Sequence, residues 1–109
     1  MAYDEGLADQ IRAVLSDKPH MVAKKMFGGL GFILNGNMAA GVLGDELLVR
    51  VPREQYAALL AEPHVRAFTM GKRVSRGWVM ISPGGLVTDA ALERWVALGV
   101  SVAESLPPK

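Results

Sequence analysis

The sequence predicts an α+β fold, a two-layer sandwich in which helices cover an antiparallel five-stranded sheet in the order helix, three strands, helix, two strands, helix (α-β3-α-β2-α). Three observations predict it. Apolar residues at helical spacing open the chain at Leu7, Ile11, Val14 and Leu15 and close it at Leu92, Trp95 and Val96. Short apolar runs broken by glycine fill the middle, with the turn pair Asn35-Gly36 between two of them. The connections are of hairpin length, with no alternation of single strands and helices of the kind that builds a parallel sheet.

In residues 4–17 the acids Asp4 and Glu5 stand where the positive end of a helix dipole favours them, and Pro19 ends the helix. From Val22 to Val51 the texture is that of strands. A type I′ turn needs positive φ at both central residues, so Asn35-Gly36 predicts a hairpin, and Gly44-Asp45 predicts a second one. Leu30, Phe32 and Leu34 alternate with Gly31 and Ile33, and Leu47, Val49 and Val51 alternate with Leu48 and Arg50, which gives one strongly apolar face and one mixed face. The glycine-rich stretch Lys24 to Gly31 reads as a bend within a long first strand, because glycine tolerates bulges and close packing. A second helix follows Pro52, with Tyr56, Leu59 and Leu60 on one side, and Pro63 stops it. Arg66 to Met70 and Gly77 to Ile81 are the last strands, separated by the basic turn GKRVSR. Thr88 or Asp89 caps the final helix. Gly99 lies inside it at a cost of about 1 kcal/mol relative to alanine, which suggests the close approach of another element.

A chain of 109 residues is expected to be one domain, residues 1–109, burying roughly 65% of its unfolded surface. Half the residues are hydrophobic and 21% are charged, an ordinary globular composition. The absence of cysteine excludes disulfides, thiolate metal sites and thiol nucleophiles. No apolar run approaches the length of about 18 residues that a membrane helix needs, and the acidic N-terminus is unlike a signal peptide. The expectation is a soluble cytoplasmic protein with no membrane partner.

The candidates for chemistry are few. Glycines 28, 29 and 31 match neither the dinucleotide fingerprint nor a P-loop, since the stretch runs into a strand instead of opening a helix. His20 and His64 stand apart beside prolines, too few for a zinc site. The acid pairs Asp4-Glu5 and Asp45-Glu46 fall at a helix start and in a turn, and no serine has a nucleophile-elbow context. Met26, Met38, Met70 and Met80 read as gap-fillers within strands, and Trp78 and Trp95 as core or interface anchors. No metal and no cofactor is expected. Charge is the one asymmetry: the net charge of +1 divides into −3 over residues 1–17, +5 over 18–86 and −1 over 87–109. Lys24, Lys25, Lys72, Arg73 and Arg76, with Arg50, are therefore the candidates for contact with an anion or nucleic acid. A pI of about 8.1 lies below the value of about 9 expected of a nucleic-acid domain, so a solvated basic face is the plainer reading.

The stretch KKMFGGLGFILNGNMAAGVLGDELLVRV resembles the signature of the TfoX/Sxy family N-terminal domain. In that family one or two bases precede Met-Phe-Gly-Gly, followed by a glycine and an aromatic in a strand, a tight glycine turn and an apolar third strand. Here the motif is carried by Lys24, Lys25, Met26, Phe27, Gly28, Gly29, Gly31, Phe32 and Gly36, then Leu47, Val49 and Val51. The aromatic strand Gly77 to Ser82 before Pro83, and the last helix with Leu92 and Trp95, match as well. The resemblance implies a secretion-chaperone-like sandwich in which Met26, Phe27, Gly28, Gly29, Gly31 and Gly36 are scaffold positions, and it assigns no catalytic residue. The family includes bacterial competence regulators, coactivators that work with a catabolite-activator-type transcription factor. They carry a further C-terminal domain, and the 109 residues correspond to the N-terminal one alone.

The leading expectation is thus a non-enzymatic TfoX-like protein, a transcription-regulatory adaptor acting through a protein partner or as a homodimer. Direct nucleic-acid binding through the central basic segment is the alternative. A small-molecule enzyme is the weakest, since only Arg50, Tyr56 and His64 offer polar lining and no spacing relates them.

Overall fold

The computed structural model describes residues 3–26 and 28–108. Its elements are α1 (Glu5–Val14), β1 (Met21–Met26), β2 (Gly29–Leu34), β3 (Asn37–Leu43), β4 (Glu46–Arg50), a 3₁₀ turn at Arg53–Gln55, α2 (Tyr56–Leu60), β5 (Val65–Met70), β6 (Arg73–Ile81), a 3₁₀ turn at Pro83–Gly85 and α3 (Asp89–Ser105). The strands form one antiparallel sheet in the order β1-β2-β3-β4-β6-β5.

The sheet has six strands where the sequence predicts five. The expected bend at the glycines is a full reversal: Met26 pairs with Gly29 across a tight turn with Gly28 at φ 74°, so the long first strand is a hairpin of β1 and β2. Strand β1 lacks the alternation by which a strand is recognised because it lies at the sheet edge, where four of its six residues are exposed on both faces. The basic turn is also shorter than expected. Only Gly71 and Lys72 separate β5 from β6, and Arg73 to Arg76 are strand residues. The other turns form as the sequence predicts, with positive φ at Asn35, Gly36 and Gly44. Phe27 and the side chain of Met70 lie outside the described residues.

The three helices share one side of the sheet. Leu7, Ile11 and Leu15 of the α1 region, Leu59 of α2, and Leu92, Trp95, Val96 and Val100 of α3 join one core with Leu30, Phe32 and Leu34 of β2, Val42 of β3, Leu47 and Val49 of β4, and Val79 and Ile81 of β6. Both long helices are capped as expected: Asp4 Oδ1 accepts from the Leu7 amide at 3.1 Å, and Thr88 Oγ1 from the Ala91 amide at 3.1 Å. Helix α3 packs chiefly on β3 and β4.

The register between β2 and β3 slips between Phe32 and Ile33, which leaves Ala39 as the extra residue of a bulge. Its carbonyl meets α3 at Gly99, where a Cβ would overlap the Ala39 oxygen and stand 3.0 Å from its carbonyl carbon. The element whose approach Gly99 signals in the sequence is therefore strand β3. At the far end of α3, Asn37 is 2% exposed, the buried polar side chain of the core, and its Nδ2 donates to the Pro107 carbonyl at 2.9 Å.

Two outcomes follow. Alanine ordinarily stabilises a helix over glycine by about 1 kcal/mol, but Gly99→Ala should lower unfolding stability by about 1–3 kcal/mol in urea titration, because the obstacle is backbone. A neutral or stabilised variant would mean that α3 stands further from the sheet. Asn37→Ala removes the bond to the Pro107 carbonyl, which water can then reach, and should cost about 0.5–1.5 kcal/mol, read from the same titration.

Candidate functional site

Strand β6 is nine residues long, but only Trp78 to Ile81 pair with β4. The first part of the strand runs past the end of β4 and pairs with β5 alone, after a register shift opposite Ala67/Phe68. On the other side the chain leaves β4 through Val51, whose amide donates to the Gly77 carbonyl at 2.9 Å, and Pro52 leads it into the 3₁₀ turn. The overhang of β6 and this turn enclose an open cleft of about 710 Å³. Arg50 and Arg53 line one wall, Arg73, Arg76 and Trp78 the other, and Val102 and Leu106 from the end of α3 form an apolar back.

The chain has seven arginines. Three are paired with carboxylates: Arg12 with Asp9, Arg66 with both oxygens of Glu46, and Arg94 with both oxygens of Glu62. The hydrogen bonds from Arg94 hold the Glu62 carboxyl below its ordinary pKa, and those carboxylates raise Arg66 and Arg94 above theirs. The remaining four, Arg50, Arg53, Arg73 and Arg76, all line the cleft, and among the described residues none of them pairs with an acid. Arg50 is half-buried with its guanidinium 5.1 Å from the centroid of the Trp78 ring, so the indole holds it in place. Among the described residues no carboxylate lines the cleft.

The six bases that the sequence nominates are thereby divided. Arg50, Arg73 and Arg76 lie in the cleft, and Lys72 sits at the hairpin tip beside the latter two. Lys24 and Lys25 are on β1, the opposite edge strand, about 19 Å from β6 at roughly 4.8 Å per strand, and they point to opposite faces. Among the scaffold positions, Gly28 and Gly36 shape turns, while Gly29, Gly31 and Met26 belong to the first hairpin. Arg53 and Trp78 complete the cleft without having been singled out for it. A signal for them exists: residues 63–88 contain no acid, and Arg50 and Arg53 flank the bend that ends β4. The polar residues weighed for an enzyme do not converge. Tyr56 packs against the core, Arg50 is in the cleft, and His64 is wedged against Gly84 and Gly85 with φ at 68°. Among the described residues no group of His, Asp or Glu could hold a metal ion.

A second surface lies on the sheet face away from the helices. Register sets Lys24, Gly31, Gly41, Leu48, Met80 and Arg66 in one row across it. The thioether of Met26 and the methyl of Met38 fill the space above the two glycines, 3.0 Å and 2.9 Å from where a Cβ on Gly31 and on Gly41 would stand. Leu48 and Met80 are only 2% and 3% exposed although the helices pack on the other face.

These features define the class: a small α+β domain with an open antiparallel sheet, one helical layer, a methionine-lined second face and an arginine cleft at the sheet end. The model of the TfoX N-terminal domain matches residues 13–103, and the chain belongs to that family. Comparison with curated proteins and with solved structures returns no match. Among the described residues no helix is long and apolar enough to cross a membrane.

Four like charges without an acid repel one another. Arg76→Gln should therefore raise the melting temperature on the order of 1 °C at about 20 mM salt and lose that gain at about 0.5 M, where charges beyond a few ångströms are screened. A loss of stability at low salt would show that Arg76 has a compensating partner.

Proposed function

We propose that the domain is a non-enzymatic regulatory adaptor of the competence-related TfoX type, and that the sheet face away from the helices is the contact surface for a partner protein. The observation that carries this reading is the pair of half-buried methionines, Met26 and Met38, over the glycines of the row from Gly31 to Met80. The methionines are side chains that adapt to a partner's shape, and the row beneath them is itself buried. Its border is positive, with Lys24 at one end and Arg50 beside Leu48, while Arg66 is neutralised by Glu46. That charge favours a different protein with an acidic border over a second copy of this chain, which would bring basic borders together. The secretion-chaperone-like architecture implied by the family resemblance accords with a helical layer on one side and a contact sheet on the other. Lys24 belongs to this border, whereas Arg73 and Arg76 serve the cleft, so one continuous nucleic-acid surface built from the central basic segment finds less support.

A photoreactive amino acid placed at Met38 tests the proposal in living cells, with the same group at Val87, which is 81% exposed, as control. The expected outcome is one predominant adduct with an acidic protein from position 38, lost on Lys24→Glu, and no adduct of that mass from position 87. Sedimentation equilibrium should show a monomer. A dimer broken by Met38→Lys would replace the partner by a second copy, and equal labelling from both positions would remove the face from consideration.

A further inference from the structure

We infer that the arginine cleft is a binding site for a nucleoside polyphosphate. The inference is independent of the contact face and rests on how this chain distributes its guanidinium groups. Every arginine outside the cleft has a carboxylate partner, and among the described residues the four inside it have none. A planar guanidinium binds phosphate oxygens through paired hydrogen bonds, and a triphosphate brings about four negative charges at neutral pH, one for each of Arg50, Arg53, Arg73 and Arg76. A single phosphate would leave half of them unsatisfied.

The rest of the ligand follows from the other lining. Val102 and Leu106 make an apolar back wall that a bare inorganic anion would not use. The indole of Trp78, beside these guanidinium groups, offers an aromatic surface suited to a heterocyclic base. A cleft of about 710 Å³ falls within the range of roughly 300–1,000 Å³ typical of one small-molecule ligand. Lys72 extends the positive charge only to the hairpin tip, and Lys24 and Lys25 lie at the other edge of the sheet, so among the described residues no longer track of charge serves a polymer backbone. These observations favour a free nucleotide over a nucleic-acid strand.

The site is largely formed before any ligand arrives. The Val51 amide bonded to the Gly77 carbonyl fixes the distance between the walls, the indole of Trp78 positions Arg50, and the bond from Asn37 to Pro107 holds the chain just beyond Leu106. Arg53, Arg73 and Arg76 are exposed and free to close on phosphates.

Calorimetric titration of the full chain at about 50 mM salt, where phosphate contacts are strong, tests this with four probes: adenosine triphosphate, adenosine monophosphate, inorganic triphosphate and a single-stranded DNA of roughly twelve nucleotides. Adenosine triphosphate should bind, with the monophosphate and the inorganic triphosphate each weaker by about tenfold or more, equivalent to about 1.4 kcal/mol. Arg73→Gln should weaken triphosphate binding about tenfold without lowering the melting temperature, and Arg12→Gln should leave it unchanged. Equal binding of inorganic triphosphate would remove the nucleoside from the proposal. DNA binding more than about tenfold tighter than the nucleotide would make the cleft a nucleic-acid contact. No binding, or binding indifferent to Arg73→Gln, would overturn the site altogether.

Discussion

The backbone contact between Ala39 and Gly99 is the constraint on which the rest of the structure depends. A β-bulge directs one carbonyl out of the sheet, and the helix accommodates it at its one residue without a side chain. Helix α3 thereby meets β3 backbone to backbone at this point, and side chains as modest as Val96, Val100 and Ala103 join the core beside it. Bulge and glycine need each other. Without the bulge the glycine would only weaken the helix, and without the glycine the bulge would hold the helix away from the sheet and open voids in the core.

That closeness also fixes where the two candidate surfaces are. With α3 over the centre of the sheet, α1 packed beside it and α2 over the β5–β6 side, the helical layer is complete on one face. The opposite face keeps methionines over glycines, a surface dry enough to bury Leu48 and Met80 and pliable enough to be reshaped. The end of α3 reaches the sheet where β4 has already stopped and β6 has not, so a gap between strands becomes a walled cleft. The contact face and the cleft are thus consequences of the same packing decision, and they meet at the Arg50–Trp78 pair, which belongs to the face by register and to the cleft by position.

Much of this arrangement is legible in the sequence, for reasons tied to particular residues. Asn35-Gly36 and Gly44 specify their turns because few residues tolerate positive φ, and Asp4 and Thr88 mark helix starts because their side chains replace missing backbone partners. The alternation in β2 and β4 identifies the buried face in advance. Strand β1 escapes because an edge strand exposed on both sides, MVAKKM, has no periodic pattern to read, and the glycines after it fit a bend as well as a reversal. The cleft escapes for a different reason. Arg53 joins Arg50, Arg73 and Arg76 only once β4 and β6 have paired, and the summed charge of residues 18–86 groups those arginines with Lys24 and Lys25, which the sheet carries to its far edge. Local chemistry survives translation from sequence to structure, whereas a grouping made by charge summed over a long segment does not.

The bond from buried Asn37 to Pro107 has a consequence for how the chain end behaves. It pins the polypeptide one residue after Leu106, itself part of the cleft wall, so the chain emerges at the rim of the arginine cluster. A flexible segment attached there would experience the cleft at an effective concentration in the millimolar range, set by tether length and not by the amount in solution. An acidic extension would act as a built-in competitor for the guanidinium groups and a neutral one would leave them open.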